Sequence, residues 1–127
     1  KYIIPCMEKY LQNTYGIMVY QEQIMMLSRL IADFSRGESD LLRKALGRRK
    51  TDVLSVLKPI FIEGGMKNGH KKNALEKVWC EIERKGKYTF NKSHAVCYTW
   101  IGYQYAYLKA NYPDEFKQVM EEYNVLY

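Results

Sequence analysis

The sequence predicts an all-α fold: an irregular helical domain of about six to seven helices around a central aromatic-rich helix at about residues 93–110. Three observations carry this. No stretch keeps the every-second-residue alternation of a half-buried strand. Apolar residues recur instead at intervals of three and four, the spacing of one helical face. Only three prolines interrupt 127 residues, so few helix breaks are imposed. The length suffices for one domain with its own core, and 47% hydrophobic with 27% charged residues is a globular composition. Residues 1–127 therefore read as a single domain. The chain opens at Lys1 with sequence that already looks folded, which predicts a piece excised from a longer protein.

Residues 5–13 predict a short helix with Pro5 in its first turn, broken by Asn13-Thr14-Tyr15-Gly16. Ile17 to Val19 reads as a short extended piece. A helix follows over about 20–32, with Ile24, Leu27, Ile31 and Phe34 on one stripe, widened by Met25 and Met26. Gln21, Glu22 and Gln23 crowd its first turn. They serve either the free donors of the helix start or, as amides, a neighbouring loop, and spacing favours neither. Ser35 to Ser39 reads as a turn, and 39–46 as a short helix with Leu41, Leu42, Ala45 and Leu46 inward and Gly47 ending it.

The next helix, 52–66, turns Val53, Val56, Leu57, Ile60 and Phe61 inward. Pro59 predicts a kink or a split in it, and Gly64-Gly65 with Lys67-Asn68-Gly69 its end. Residues 73–84 place Leu75, Val78, Trp79 and Ile82 on one face. The helix at 93–110 is apolar nearly all round, with Val96, Trp100, Tyr103 and Tyr107 on one stripe and Cys97, Ile101 and Leu108 on another. Such a helix packs on more than one side, hence its predicted central place. Pro113 restarts the chain, and 114–123 is a terminal helix with Asp114 and Glu115 in its first turn.

A formal net charge of +6 favours polyanionic partners, nucleic acid first. Twelve tyrosines supply either core rings with polar tips or platforms for bases. Cys6, Cys80 and Cys97 are odd in number and widely spaced, which argues against a disulfide framework or a zinc site and fits a reducing cytoplasm. Two histidines exclude a His-rich metal cluster, and no apolar run approaches a membrane span. The closest carboxylates, Glu38 with Asp40, Glu81 with Glu83 and Glu121 with Glu122, stand one or two residues apart and diverge on a helix. Glu38 and Asp40 read as capping groups. The chain lacks a Gly-x-x-x-x-Gly-Lys-Ser/Thr loop and a Gly-x-Ser-x-Gly elbow. Its own residues bind rather than catalyse.

Two clusters suit phosphate. Arg43, Lys44, Arg48, Arg49 and Lys50 put five cations into eight residues. They form either a solvated face at a helix C-terminus or a contact for nucleic-acid phosphates or a triphosphate. Tyr88-Thr89-Phe90-Asn91-Lys92-Ser93-His94 opens the aromatic helix. Asn91 and Ser93 are good N-caps, the helix start offers N–H groups, and Lys92 and His94 add charge or donors. This is either a phosphate site or an ordinary capped helix with a surface lysine.

The blocks Tyr15-Gly16-Ile17-Met18-Val19-Tyr20-Gln21-Glu22-Gln23, Asp40-Leu41-Leu42-Arg43-Lys44-Ala45-Leu46-Gly47, Phe61-Ile62-Glu63-Gly64 and Phe90-Asn91-Lys92-Ser93-His94-Ala95, with Tyr103-Gln104 to Pro113, occur in one order over nearly the whole chain. Together they resemble the fingers region of the alpha subunit of bacterial DNA polymerase III, the C-family replicative polymerase. The resemblance implies a helical fingers subdomain that closes over the incoming deoxynucleoside triphosphate and the primer–template, inactive alone. It implies catalytic Mg²⁺ held on palm aspartates outside this chain, other replicase subunits as partners of the parent, a cytoplasmic setting and no membrane. It places Arg43, Lys44, Asn91, Lys92, Ser93 and His94 beside the triphosphate or primer–template and Tyr88 near the base-pair pocket. Arg48, Arg49 and Lys50 follow as contacts to the DNA backbone. The chain departs from the family at Lys85-Gly86-Lys87-Tyr88, at Tyr105 and at Lys117. A stand-alone basic nucleic-acid-binding module and a diverged, non-catalytic copy are the alternatives.

Overall fold

The computed structural model describes residues 1–125. Seven α-helices make up most of them: α1 (Glu8–Leu11), α2 (Gln21–Ala32), α3 (Arg36–Gly47), α4 (Thr51–Lys67), α5 (Lys72–Gly86), α6 (Lys92–Asn111) and α7 (Pro113–Glu122). Short 3-10 turns, Pro5–Met7 and Gln12–Thr14, flank α1. The all-α expectation holds. Among the described residues the only sheet-like pairing is an isolated parallel bridge, Tyr20 to Phe90. The helices fall into two compact units, Lys1–Asn91 and Lys92–Tyr127.

The first unit gathers around α2 and α4. The α2 stripe is the predicted one: Ile24, Leu27, Ile31 and Phe34 are all buried. The α5 stripe of Leu75, Val78, Trp79 and Ile82 is completely covered. Phe34 meets Phe61 edge-on at 5.9 Å between ring centroids, and Phe61 meets Trp79 at 5.3 Å. These are separations at which rings attract beyond the area they bury.

Three local expectations are corrected. Helix α3 begins three residues early, because Ser35-x-x-Glu38 is a capping box: Glu38 N–H donates to Ser35 Oγ at 3.2 Å and Ser35 N–H to Glu38 Oε2 at 2.8 Å. Asp40 is then no cap but lies inside the helix. Helix α4 runs unbroken through Pro59 and turns Leu54, Leu57, Phe61 and Gly65 inward. Val56 and Ile60 are left exposed. Gly64 and Gly65 do not end α4. A Cβ on Gly64 would run into the Ala32 carbonyl, and one on Gly65 into the Leu75 side chain. Both are therefore contact surface. The stop comes at Gly69, whose φ of 83° closes the helix with His70 N–H donating to the Gly65 carbonyl at 3.0 Å.

The second unit holds α6 and α7. The extent of α6 matches the expectation, but its central place does not: none of its residues is buried, and Trp100 is 63% exposed. An apolar pattern all round a helix reports its capacity for burial, not what covers it. Within this unit α7 packs along α6, with Tyr105 edge-on to Phe116 at 6.0 Å and Met120 as the buried residue of α7. The buried aromatic cluster is instead that of the first unit, Phe34, Phe61 and Trp79.

Candidate nucleic-acid interface

The capping box sets where α3 begins, and 3.6 residues per turn then put Asp40, Arg43 and Lys44 on one side of it. Arg43 donates through Nε and Nη2 to Asp40 Oδ1 at 2.9 and 2.7 Å, and Lys44 Nζ lies 2.7 Å from Asp40 Oδ2. The bonds from Lys44 and then Arg43 hold the Asp40 carboxyl below its usual range. Asp40 thus fixes the direction of two cations and offsets part of their charge.

Beyond Gly47 the helix closes in a Schellman turn: Lys50 N–H donates to the Ala45 carbonyl at 2.9 Å and Arg49 N–H to the Leu46 carbonyl at 3.3 Å. The left-handed position belongs to Arg49, at φ 53°, where glycine is usual. The turn holds Arg48, Arg49 and Lys50 exposed on the surface. Among the described residues no ion pair is made by any of the three. The five predicted cations thus fall into a basic ridge in sequence, two on the last turns of α3 and three in the turn that closes it.

The segment leading to α6 is tied down from an unexpected quarter. Gln23, in the first turn of α2, accepts from Val19 and Tyr20 N–H at 2.9 and 3.0 Å. Its Nε2 donates to the Tyr10 carbonyl at 3.0 Å and to Thr14 Oγ1 at 2.8 Å. The loop so fixed pairs with Phe90: Phe90 N–H reaches the Val19 carbonyl and Gln21 N–H the Phe90 carbonyl, each at 3.0 Å. Both readings of these glutamines apply to Gln23: at the third position of α2 it accepts from the N–H of the N-cap Tyr20, and its amide N–H groups hold the preceding loop. The bond to Tyr20 follows helix-cap spacing, whereas sequence spacing carried no signal for the bonds to Tyr10 and Thr14, which only the fold brings to α2.

Tyr88 stands in the turn after α5, 75% exposed, with Lys87 Nζ 5.1 Å from its ring centroid. Gly86 beside it is buried, and a Cβ there would meet Leu46. Of the basic run before it, Arg84 and Lys85 are tied to Glu81 at 2.6 and 3.0 Å, which lowers the Glu81 carboxyl, Lys85 first. Asn91 directly precedes α6, the position of an N-cap, and Lys92, Ser93 and His94 fill the first turn, which carries no acid. The His94 ring stacks on Tyr98 one turn on, 5.0 Å between centroids. Asn91 closes the first unit and Lys92 to His94 open the second.

No group of three or more His, Cys, Asp or Glu able to hold a metal stands together among the described residues. Nor is any described helix long and apolar enough to cross a membrane.

Comparison with known proteins gives a consistent answer. The family described as bacterial DNA polymerase III alpha subunit finger domain matches residues 1–69. DNA polymerase III subunit alpha of Aquifex aeolicus is 45% identical over 116 residues, 91% of this chain and 10% of that protein. The subunit alpha of Bacillus subtilis is 47% identical over 81% of this chain and 9% of its own length, and that of Campylobacter jejuni 40% identical over 98% and 11%. The chain thus spans about a tenth of the length of the curated relatives it matches.

Proposed function

The chain belongs to the finger region of bacterial DNA polymerase III alpha subunits, and from that premise we propose that it binds the incoming deoxynucleoside triphosphate and the primer–template of a DNA-directed DNA polymerase. The observation that carries the reading is the family match over the unit that bears the basic ridge. On this reading Arg48, Arg49 and Lys50 contact the DNA backbone, and Arg43 and Lys44, held by Asp40, add charge to the same ridge. Such contacts release counterions and make binding steeply salt-dependent.

Asn91, Lys92, Ser93 and His94 take the triphosphate. A helix start presents N–H groups and a partial positive charge, and Lys92 supplies a full cation where charge builds on the phosphates. Tyr88 offers its ring to the nascent base pair. The catalytic Mg²⁺ ions are assigned to acidic residues of the parent polymerase outside this chain, so the chain alone is inactive. Further replicase subunits meet other parts of that parent, in the cytoplasm.

The test is binding of a fluorescent primer–template to the chain across a salt series. We expect the triple substitution Arg48→Ala, Arg49→Ala, Lys50→Ala to lower the slope of log K against log salt by about 2–3, close to one unit for each phosphate contact removed. An unchanged slope removes these residues from the interface.

A further inference from the structure

We infer that the groove between α4 and the start of α5 docks an acidic amphipathic segment of a partner protein. The groove has a volume of about 660 Å³ and is lined by Lys58, Pro59, Ile62, Glu63, Met66, Lys67 and Lys72. That is the size of a site that seats several side chains. Its shape follows from the period of α4. With Leu54, Leu57, Phe61 and Gly65 turned inward, the rows 58–62–66 and 59–63–67 run side by side along the flank of the helix. Pro59, Ile62 and Met66 make an apolar floor. Met66 is 50% exposed, an adaptable thioether of the kind that suits surfaces accepting apolar anchors.

The rim is cationic and under-compensated. Glu63 is the acid of the groove, and Lys67 takes it at 3.3 Å. Lys58 and Lys72 make no ion pair among the described residues. The charge at the start of α5 also has the wrong sign: Lys71 and Lys72 sit at the positive end of the helix, with no acid in its first turn and no side-chain cap. Carboxylates brought by a partner would relieve both excesses.

Duplex DNA is the competing occupant, and the lining argues against it. A duplex would meet the groove with its sugar–phosphate backbone, which offers nothing to a floor of Pro59, Ile62 and Met66. A helix carrying apolar and acidic residues at intervals of three and four satisfies floor and rim together. This surface is separate from the Arg43–Lys50 ridge, so its failure would leave the proposed function untouched.

The probe is a synthetic helical peptide of leucine and glutamate at those intervals, titrated into the ¹⁵N-labelled chain beside a glutamine-for-glutamate copy and a DNA duplex. We expect saturable amide shifts confined to residues 58–72 with the acidic peptide and none with the glutamine copy. Lys58→Glu with Lys72→Glu, and separately Met66→Ser, should each weaken binding about tenfold or more. All three positions are exposed, so the variants keep the fold, and their spectra away from the groove show it. Shifts spread over Arg43–Lys50, absence of saturation, equal binding of the glutamine copy, or stronger binding of the duplex at the same amides would each overturn the inference.

Discussion

Arg49 holds a left-handed backbone that an arginine adopts at a cost of roughly 1–2 kcal/mol relative to glycine. A ridge selected only for stability would carry glycine there. We therefore expect Arg49→Gly to raise the midpoint of chemical denaturation and to weaken primer–template binding, opposite signs from one substitution. Loss of stability with unchanged DNA binding would mean that the side chain serves the fold. Trp79 is the corresponding test of the core. It is fully buried among Phe61 and its neighbours, and its indole N–H has no hydrogen-bond partner among the described residues. Trp79→Ala should cost about 3–5 kcal/mol in chemical denaturation, whereas Trp79→Phe gives up volume but no hydrogen bond and should cost less. Trp100→Ala, on an exposed face, should change stability by under about 1 kcal/mol. The two tryptophans looked alike in sequence, each in an apolar stripe. Only the presence of neighbours on the far side separates them, and no local pattern encodes that.

At the level of the helices, the periodic elements were legible and their joints were not. The stripes of α2 and α5 follow from 3.6 residues per turn, which the chain carries in itself. Gly64 and Gly65 were misread because glycine has two uses, as breaker and as contact surface, and the second is set by a helix that crosses from elsewhere. Gly64→Ala should therefore destabilise by about 1–3 kcal/mol, although alanine is the better helix former. A neutral result would mean that α2 and α4 can part at that point. The capping box of α3 was, by contrast, a local signal, masked by Gly37 beside it. Glu38, Asp40 and Glu81 each fix a helix through bonds that lower their carboxyl pKa: the Ser35 backbone for Glu38, Lys44 then Arg43 for Asp40, and Lys85 then Arg84 for Glu81. A lowered carboxylate contributes stability that is full above its unfolded value, about 4, and lost as pH falls through the lower folded value. Asp40→Asn should therefore reduce the melting temperature at neutral pH and make no difference once the medium is acid enough to protonate Asp40 in the folded protein. An equal loss at both extremes would trace the effect to packing.

For the whole molecule, fold class and family were readable because helical periodicity and ordered motif blocks run the length of the chain. The division at residue 91 was not, since no proline- or glycine-rich linker marks it and α6 looks as apolar as a core helix. The basic ridge was legible as a run of cations. The Gln23 network that steadies the approach to Asn91 was not, because it joins residues from four separate stretches. The central claim is that Lys92 and its neighbours receive the nucleotide's phosphates. Its most direct test is single-nucleotide incorporation by the full-length parent polymerase, wild type beside Lys92→Ala, over a range of nucleotide concentrations at saturating primer–template. The account predicts a loss of about tenfold or more in turnover per bound nucleotide, with primer–template affinity unchanged. Equal incorporation by the two enzymes at every nucleotide concentration would contradict it.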